Sequence, residues 1–148
     1  MYDAISNLNK KSKGSIKGFV IDMRNNPGGV LGAAVDVSDA FIKGKKKLVF
    51  TKGKKAKAVY EYFSNDTDLT EGKPIVVIIN GGSASASEIV AGALQDHKRA
   101  IIMGTQSFGK GSVQTILPIT SKTAVKITTA RYYTPDVRSI QAKGITPD

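Results

Sequence analysis

The sequence predicts an α/β fold with a mainly parallel β-sheet, followed by antiparallel strands near the C-terminus. Over the first two-thirds of the chain, short apolar segments alternate with helical ones, and right-handed crossovers turn that order into a parallel sheet. The last third alternates apolar and polar residues along consecutive segments, as antiparallel strands with one exposed face do. With 148 residues, the chain has the length of one domain.

Apolar spacing and turn formers predict the elements of residues 4–62. Apolar residues three and four apart favour helices, whereas short continuous apolar runs favour buried strands. Gly44 is a suitable helix end. In order, these patterns predict a helix at residues 4–12, a buried strand at 17–23, a loop at 24–29, a helix at 31–42, and short strands at 47–51 and 56–62 around Lys52 and Gly53.

The same criteria predict the elements of the second half. Pro74 opens an apolar run of strand length, and the glycine pair at 81–82 turns the chain toward a helix. In order, we expect a polar loop at 65–73, a strand at 75–80, a helix at 85–97, a core strand at 100–103, antiparallel strands at 113–117 and 125–129, and a turn at 132–136.

The chain is strongly basic and lacks cysteine. Its 22 lysine and arginine residues against 12 acidic ones give a net charge of +10. The absence of cysteine excludes disulfides and thiolate metal sites. Much of the charge lies on Lys43, Lys45, Lys46, Lys47, Lys52, Lys54, Lys55 and Lys57. This run is compatible with nucleic acid or anionic lipid, but without a nucleic-acid motif a solvated hairpin is favoured, and no nucleic-acid partner is expected.

A serine-rich strand-to-helix turn is the strongest functional signal. Ser85 lies at the predicted helix start, where free N–H groups and the helix dipole favour negative charge. A serine nucleophile needs a base, and Lys110, flanked by glycines and close to Phe108, can serve if burial keeps its amine neutral. The N–H of Ala86 and the glycines at 28–29 are candidate oxyanion donors, because both loops follow strands of the parallel sheet.

Each local pattern also has a structural explanation. The tetrapeptide 85–88 is a capping box, which by itself favours a simple helix start over a nucleophile. Ser83 and Ser87 are alternatives for either role, and a lysine between glycines is usually a surface turn. No phosphate-binding glycine pattern ending in Gly-Lys-Ser/Thr is present at 81–85. His97 at the helix end is not expected to be catalytic, and a solvated acid or local salt bridge is the default for Asp96.

The order and spacing of several segments resemble the carboxy-terminal processing (tail-specific) serine peptidases. The matching segments are 18–29 (Gly-Phe-Val-Ile-Asp-Met-Arg-Asn-Asn-Pro-Gly-Gly), 83–89 (Ser-Ala-Ser-Ala-Ser-Glu-Ile), 108–114 (Phe-Gly-Lys-Gly-Ser-Val-Gln), 129–135 (Thr-Ala-Arg-Tyr-Tyr-Thr-Pro) and 139–148. The resemblance runs from about residue 17 to the end. It implies a spiral α/β core of the Clp-protease and crotonase type.

The resemblance also implies a serine endopeptidase that cleaves unfolded or tagged proteins near their C-termini, with no metal or other cofactor. In role, the implied residues are Ser85 as nucleophile, Lys110 as base, Gln114 orienting that lysine, Gly28 or Gly29 with Ala86 as backbone oxyanion donors, and Glu88 and Asp96 as supporting acids near the site. Its partners would be polypeptides bound through their C-terminal regions.

Members of this family usually carry a PDZ domain, and residues 1–148 are expected to be a partial catalytic core without it. The resemblance implies the periplasm or another part of the cell envelope, with proximity to a membrane surface. The sequence leaves the oligomeric state open. Two alternatives also stay open: a catalytically incompetent peptide-binding or scaffold fragment of the same fold, and an acyl-CoA enzyme of the related crotonase type.

Overall fold

A computed structural model describes residues 1–53 and 59–148. In chain order, the elements are α1 (Tyr2–Lys11), β1 (Phe19–Asp22), α2 (Leu31–Asp39), β2 (Lys47–Gly53), β3 (Val59–Phe63), β4 (Ile75–Ile79), α3 (Ala86–Asp96), β5 (Ile101–Gly104), β6 (Ser112–Pro118) and β7 (Ala124–Tyr133). The three predicted helices and the predicted strands are confirmed, with ends shifted by a few residues.

The strands form two sheets rather than one. Three parallel strands have the order β1-β4-β5, and four antiparallel strands have the order β3-β2-β7-β6. The predicted α/β class is therefore confirmed. β2 pairs with β3 on one side and with β7 on the other instead of extending the parallel sheet. Phe50 of β2 stacks on Tyr133 of β7 with ring centroids 5.2 Å apart.

The core surrounds α3 and lies between the parallel sheet, α2 and the buried residues of β2. Alternate residues of β4 are buried, and α3 is buried from Ser87 to Leu94. The strand predicted as buried at 17–23 is only half-buried: Val20 is 68% exposed. β1 is an edge strand, and within the described residues nothing covers its second face, so only alternate residues reach the core.

The basic segment follows the hairpin prediction as far as the structure describes it. β2 and β3 pair antiparallel, and Lys47 forms an ion pair with Glu61. Lys54, Lys55 and Lys57 lie outside the described residues, as does the start of the strand predicted at 56–62. Within the described ranges, none of the helices has the length and apolar content needed to cross a membrane.

Candidate active site

Two loops meet at the carboxyl ends of neighbouring parallel strands. Asp22 of β1 is in register with Ile78 of β4, so the loop 23–30 and the loop 80–85 leave the sheet at the same edge, where open parallel sheets place their ligands. The Ala84 N–H donates to the Asn26 carbonyl oxygen at 3.0 Å. The sequence prediction that these loops lie side by side is confirmed.

Ser85 has a backbone conformation that a helix cap does not require. It is the N-cap of α3, and the capping box with Glu88 is formed. An ordinary N-cap residue lies in the extended region, whereas Ser85 has φ 57° and ψ −114°. Such a conformation costs a non-glycine residue about 1–3 kcal/mol, and residues held this way cluster at functional sites. Capping alone therefore does not explain Ser85.

The neighbouring serines have structural roles. The fully buried Ser83 hydroxyl donates to the Met23 carbonyl oxygen at 2.7 Å and accepts from the Asn80 N–H at 3.0 Å. The Ser87 hydroxyl, also buried, donates to the Asn26 carbonyl oxygen at 3.1 Å. Both side chains bind the two loops together, which leaves the half-exposed Ser85 as the serine available for chemistry.

The glycine loop contacts the serine turn at van der Waals distance. A Cβ placed on Gly28, whose φ is +94°, would lie 2.5 Å from the Ala84 carbonyl oxygen and 2.9 Å from the Ser85 Cβ. Only glycine allows this approach. The Gly28 N–H donates to the Asn26 Oδ1 at 3.0 Å and is thereby occupied.

Two backbone N–H groups at this contact have no acceptor among the described residues. One belongs to Gly29 and the other to Ala86, the first residue of α3. Free N–H groups at a helix start, aided by the helix dipole, stabilise negative charge. Of the two glycines proposed from the sequence, Gly29 therefore has the free donor.

A buried carboxylate joins the serine turn to the lysine loop. Glu88 is 0% exposed. Its Oε2 accepts from the Ser85 N–H and from the Lys110 N–H, both at 2.8 Å, and its Oε1 accepts from the Gly109 N–H at 2.6 Å. The Ser107 hydroxyl donates to the same Oε1 at 2.5 Å. The backbones of Ser85 and Lys110 are thus neighbours through one oxygen atom, although 25 positions separate them in the sequence.

The lysine side chain is not in the buried environment that the sequence suggested. Lys110 is exposed, Gln114 is exposed, and Phe108 is 67% exposed rather than covering the amine. Among the described residues, neither the Lys110 amine nor the Gln114 amide forms a hydrogen bond or ion pair. The loop around Lys110 is fixed through its main-chain N–H groups, which leaves the lysine side chain at the surface. Gln114 is at the surface because it belongs to β6, an edge strand.

Asp96 lies at the opposite end of α3 from Ser85. The helix has 11 residues, which corresponds to about 16 Å at 1.5 Å per residue. Asp96 forms an ion pair with Arg138 and accepts from the Asp136 N–H at 2.8 Å. Any support it gives the site is therefore indirect, through the turn after β7. His97 has its Nε2 2.6 Å from the Lys47 carbonyl oxygen, in a structural contact.

An apolar cavity of about 260 Å³ opens beside the two free N–H groups. Its lining includes Ile21, Gly29, Val30, Val37 and Ala86. A larger cavity of about 780 Å³ lies elsewhere, among charged side chains around Arg99 and Asp68; His97 lines it, but Ser85, Glu88 and Lys110 do not. In residues 1–53 and 59–148, no cluster of three or more His, Asp or Glu side chains is arranged to hold a metal ion.

Sequence reasoning did not single out Asn26, Asn80 or Ser107. Each makes hydrogen bonds that position a loop of the site. The signal for Asn80 was available, because an asparagine directly after a buried strand and before two glycines is typical of a residue that bonds to turn backbone.

Comparison with known proteins gives consistent matches. Residues 1–148 match Peptidase family S41. The chain is 60% identical over 133 residues to a carboxy-terminal-processing protease of Bartonella bacilliformis, covering 90% of this chain and 30% of that protein. It is 40% identical to the chloroplastic carboxyl-terminal-processing peptidase 3 of Arabidopsis thaliana, covering 90% of this chain and 25% of that one.

Solved structures share the fold. The photosystem II D1 C-terminal processing protease superposes with a TM-score of 0.87 at 36% identity, covering 98% of this chain and 37% of that chain. Mature CPAF, at 13% identity and a TM-score of 0.75, covers 99% of this chain and 41% of its own and shares the fold alone. The chain thus spans less than a third of the length of the two curated relatives. By sequence and by fold, it belongs to peptidase family S41, the family of its carboxy-terminal-processing relatives.

Proposed function

We propose that this chain is the catalytic core of a serine endopeptidase that cleaves unfolded or tagged proteins near their C-termini by a serine–lysine mechanism. The observation that carries the proposal is the left-handed Ser85 beside two N–H groups without acceptors, those of Gly29 and Ala86. When the Ser85 Oγ adds to a substrate carbonyl carbon, the negative charge develops on the carbonyl oxygen, which would find two donors there, one from the start of α3 and one from the loop before α2. Each such donor contributes about 3–4 kcal/mol of transition-state stabilisation.

In the proposed reaction, the Ser85 Oγ attacks the scissile carbonyl carbon while its proton passes to the Lys110 Nζ. The oxyanion collapses, the C–N bond breaks, and the amine leaving group takes that proton. Water then attacks the acyl-enzyme ester, again giving a proton to Lys110, and the Ser85 oxygen is released with it. No redox step or co-reactant other than water is needed.

Lys110 must be neutral when it accepts the proton, and exclusion of water favours the neutral amine. Because Lys110 and Gln114 are exposed in the free chain, we propose that bound substrate covers them. A peptide lying over the loop 107–111 would exclude water from the Lys110 amine. It would also bring the Gln114 amide close enough to orient that amine. Catalytic competence would then depend on occupancy of the site.

The substrate is proposed to be a polypeptide with a small apolar side chain next to the scissile bond. The cavity of about 260 Å³ beside Gly29 and Ala86 is lined mainly by aliphatic and small residues, which suits burial of an apolar side chain. We also propose that the full-length protein works in the cell envelope. Fractionation of cells that produce the tagged natural protein, with a cytoplasmic marker, would test that location.

The test is cleavage of an unfolded substrate by the natural full-length protein carrying Ser85→Ala or Lys110→Arg. Both variants should lose turnover by at least about 1,000-fold, because one lacks the nucleophile and the other replaces the base with a guanidinium that stays protonated. Lys122→Arg makes the same substitution on an exposed hairpin lysine and should retain turnover. Cleavage by the Ser85→Ala variant would refute the assignment.

One observation favours a second function, a peptide-binding scaffold of the same fold. The exposed Lys110 amine forms no hydrogen bond within the described residues, as expected of a chain that binds peptides without cleaving them. A fluorophosphonate probe separates the two functions. Covalent labelling of Ser85 in the presence of peptide supports the peptidase, whereas peptide binding without labelling or cleavage supports the scaffold.

A further inference from the structure

Two asparagine side chains join the roots of the two loops that carry the free N–H groups. The Asn80 Oδ1 accepts from the Asn25 N–H at 2.9 Å and from the Gly82 N–H at 3.0 Å. The Asn80 Nδ2 donates to the Asn25 Oδ1 at 3.0 Å. The orientation of the Asn80 amide is fixed by chemistry, because its oxygen faces two N–H donors and its nitrogen faces an acceptor.

Backbone conformation at these loop roots is adapted to this pairing. Asn25 has φ 57°, a left-handed conformation that asparagine tolerates better than most residues. A Cβ on Gly82 would lie 2.6 Å from the Asn25 Oδ1 and 2.9 Å from the Asn25 Cα. Since the second of these atoms is backbone, any side chain at position 82 would push the loop at 25 away. The adjacent Gly81 has no such neighbour within 4 Å.

The geometry has a consequence at the loop tips. The loop that begins at Asn25 ends at the Gly29 N–H, and the loop that begins at Asn80 ends at the Ala86 N–H. The distance between the two roots therefore contributes to the distance between the two donors, together with the bond from the Ala84 N–H to the Asn26 carbonyl oxygen. An oxyanion hole works only when both donors reach the same oxygen atom, at about 2.7–3.1 Å.

We propose that Asn80, paired with Asn25, is a positioning residue that helps to set the spacing of the two oxyanion donors. The inference rests on the proposed peptidase function, since the spacing matters only if an oxyanion forms there. It assigns no direct contact with substrate to either asparagine. Other bonds between the loops, such as the one from Ser83 to Met23, keep the chain folded when the pair is removed.

The test compares three variants of the natural full-length protein. Asn80→Ala removes the pair, Gly82→Ala forces the loop roots apart without removing a hydrogen-bonding group, and Gly81→Ala is the matched control for the added methyl group. We expect kcat to fall about 10- to 100-fold in the first two, the scale of a misplaced catalytic group, with KM within twofold and Gly81→Ala unchanged.

A second readout separates positioning from general loosening. A peptide aldehyde forms a hemiacetal on the nucleophile and places its oxygen in the hole, whereas the cleaved product peptide does not. Aldehyde inhibition should weaken in the Asn80→Ala and Gly82→Ala variants by the same factor as kcat, while product binding stays constant. Equal weakening of both ligands, or an unchanged kcat in either variant, would overturn the inference.

Ser85→Ala, assayed in parallel, separates this inference from the function on which it rests. If Ser85→Ala is inactive but Asn80→Ala and Gly82→Ala turn over normally, the positioning role is wrong and the peptidase stands. If Ser85→Ala still cleaves, both are wrong. Thermal denaturation of every variant confirms that the assayed protein is folded.

Discussion

Replacing Glu88 with glutamine should destabilise the protein strongly, although the two side chains have nearly the same size and shape. All four partners of the buried carboxylate donate: the N–H groups of Ser85, Gly109 and Lys110, and the Ser107 hydroxyl. An amide has one oxygen and one NH₂ group, so the NH₂ group must face two of these donors. No orientation of glutamine satisfies all four.

The lowest-cost orientation leaves the amide oxygen toward Ser85 and Lys110. The Ser107 oxygen, which already accepts from the Ile145 N–H at 2.7 Å, can accept from the NH₂ group only by turning its own proton away from its present acceptor. The Gly109 N–H faces the NH₂ group and loses its partner. A hydrogen bond to a charged group contributes about 1.5–3 kcal/mol, and a buried orphan donor costs about 1–3 kcal/mol. We expect a loss of about 3 kcal/mol in the free energy of unfolding.

Thermal denaturation measures this loss directly. For a chain of this length, about 3 kcal/mol corresponds to a fall in Tm of roughly 6–12 °C. Asp36→Asn is the matched control, since it makes the same charge change on an exposed residue of α2 and should stay within about 0.5 kcal/mol. Labelling of Ser85 by a fluorophosphonate should slow in Glu88→Gln as well. Equal Tm values for the two variants would refute the reasoning.

Three further outcomes are expected. Gly28→Ala should abolish turnover by forcing the loop off Ser85, whereas Gly32→Ala, with open space around it, should retain turnover and full stability; equal activities would contradict the contact. Asp96→Ala should lower the free energy of unfolding by about 1–3 kcal/mol in urea titration and reduce activity only in proportion to the folded fraction.

The third outcome concerns acid, because the pKa of Asp68 is lowered: burial raises it, but hydrogen bonds from its neighbours and the Arg99 charge outweigh that effect. A carboxyl group with a folded pKa below its unfolded value stabilises above that unfolded value, about 3.9, and ceases to do so as pH falls through the folded one. Stability measured between pH 2 and pH 6 should therefore depend less on pH in Asp68→Asn, and an identical dependence would refute the assignment.

Local signals predicted much of the fold. Helical apolar spacing placed α1, α2 and α3, and the rule that parallel strands expose ligand sites at their carboxyl ends placed the loop 24–29 beside the serine turn. These predictions depend on residues close in the sequence or on a general topological rule. They needed no knowledge of distant partners.

The parts that the sequence did not predict depend on contacts between distant residues. β2 belongs to the antiparallel sheet because it pairs with β7, with Phe50 in register with Tyr133. No pattern within either strand encodes that register. The exposure of Lys110 likewise depends on which segments pack over its loop, whereas its glycine neighbours report only on the main chain. Asp96 was expected near the site only because the family resemblance implied it, whereas the helix predicted at 85–97 already places it at the end of α3 opposite Ser85.

The positive φ of Ser85 implies a trade-off between the proposed activity and the stability of the fold. Glycine adopts φ 57° without penalty and costs only a few tenths of a kcal/mol as a cap compared with serine. A Ser85→Gly protein should therefore be inert yet about 1 kcal/mol harder to unfold, since relief of about 1–3 kcal/mol of strain exceeds the added freedom of its unfolded chain. At the proposed nucleophile, a substitution that raises stability would therefore remove the proposed activity.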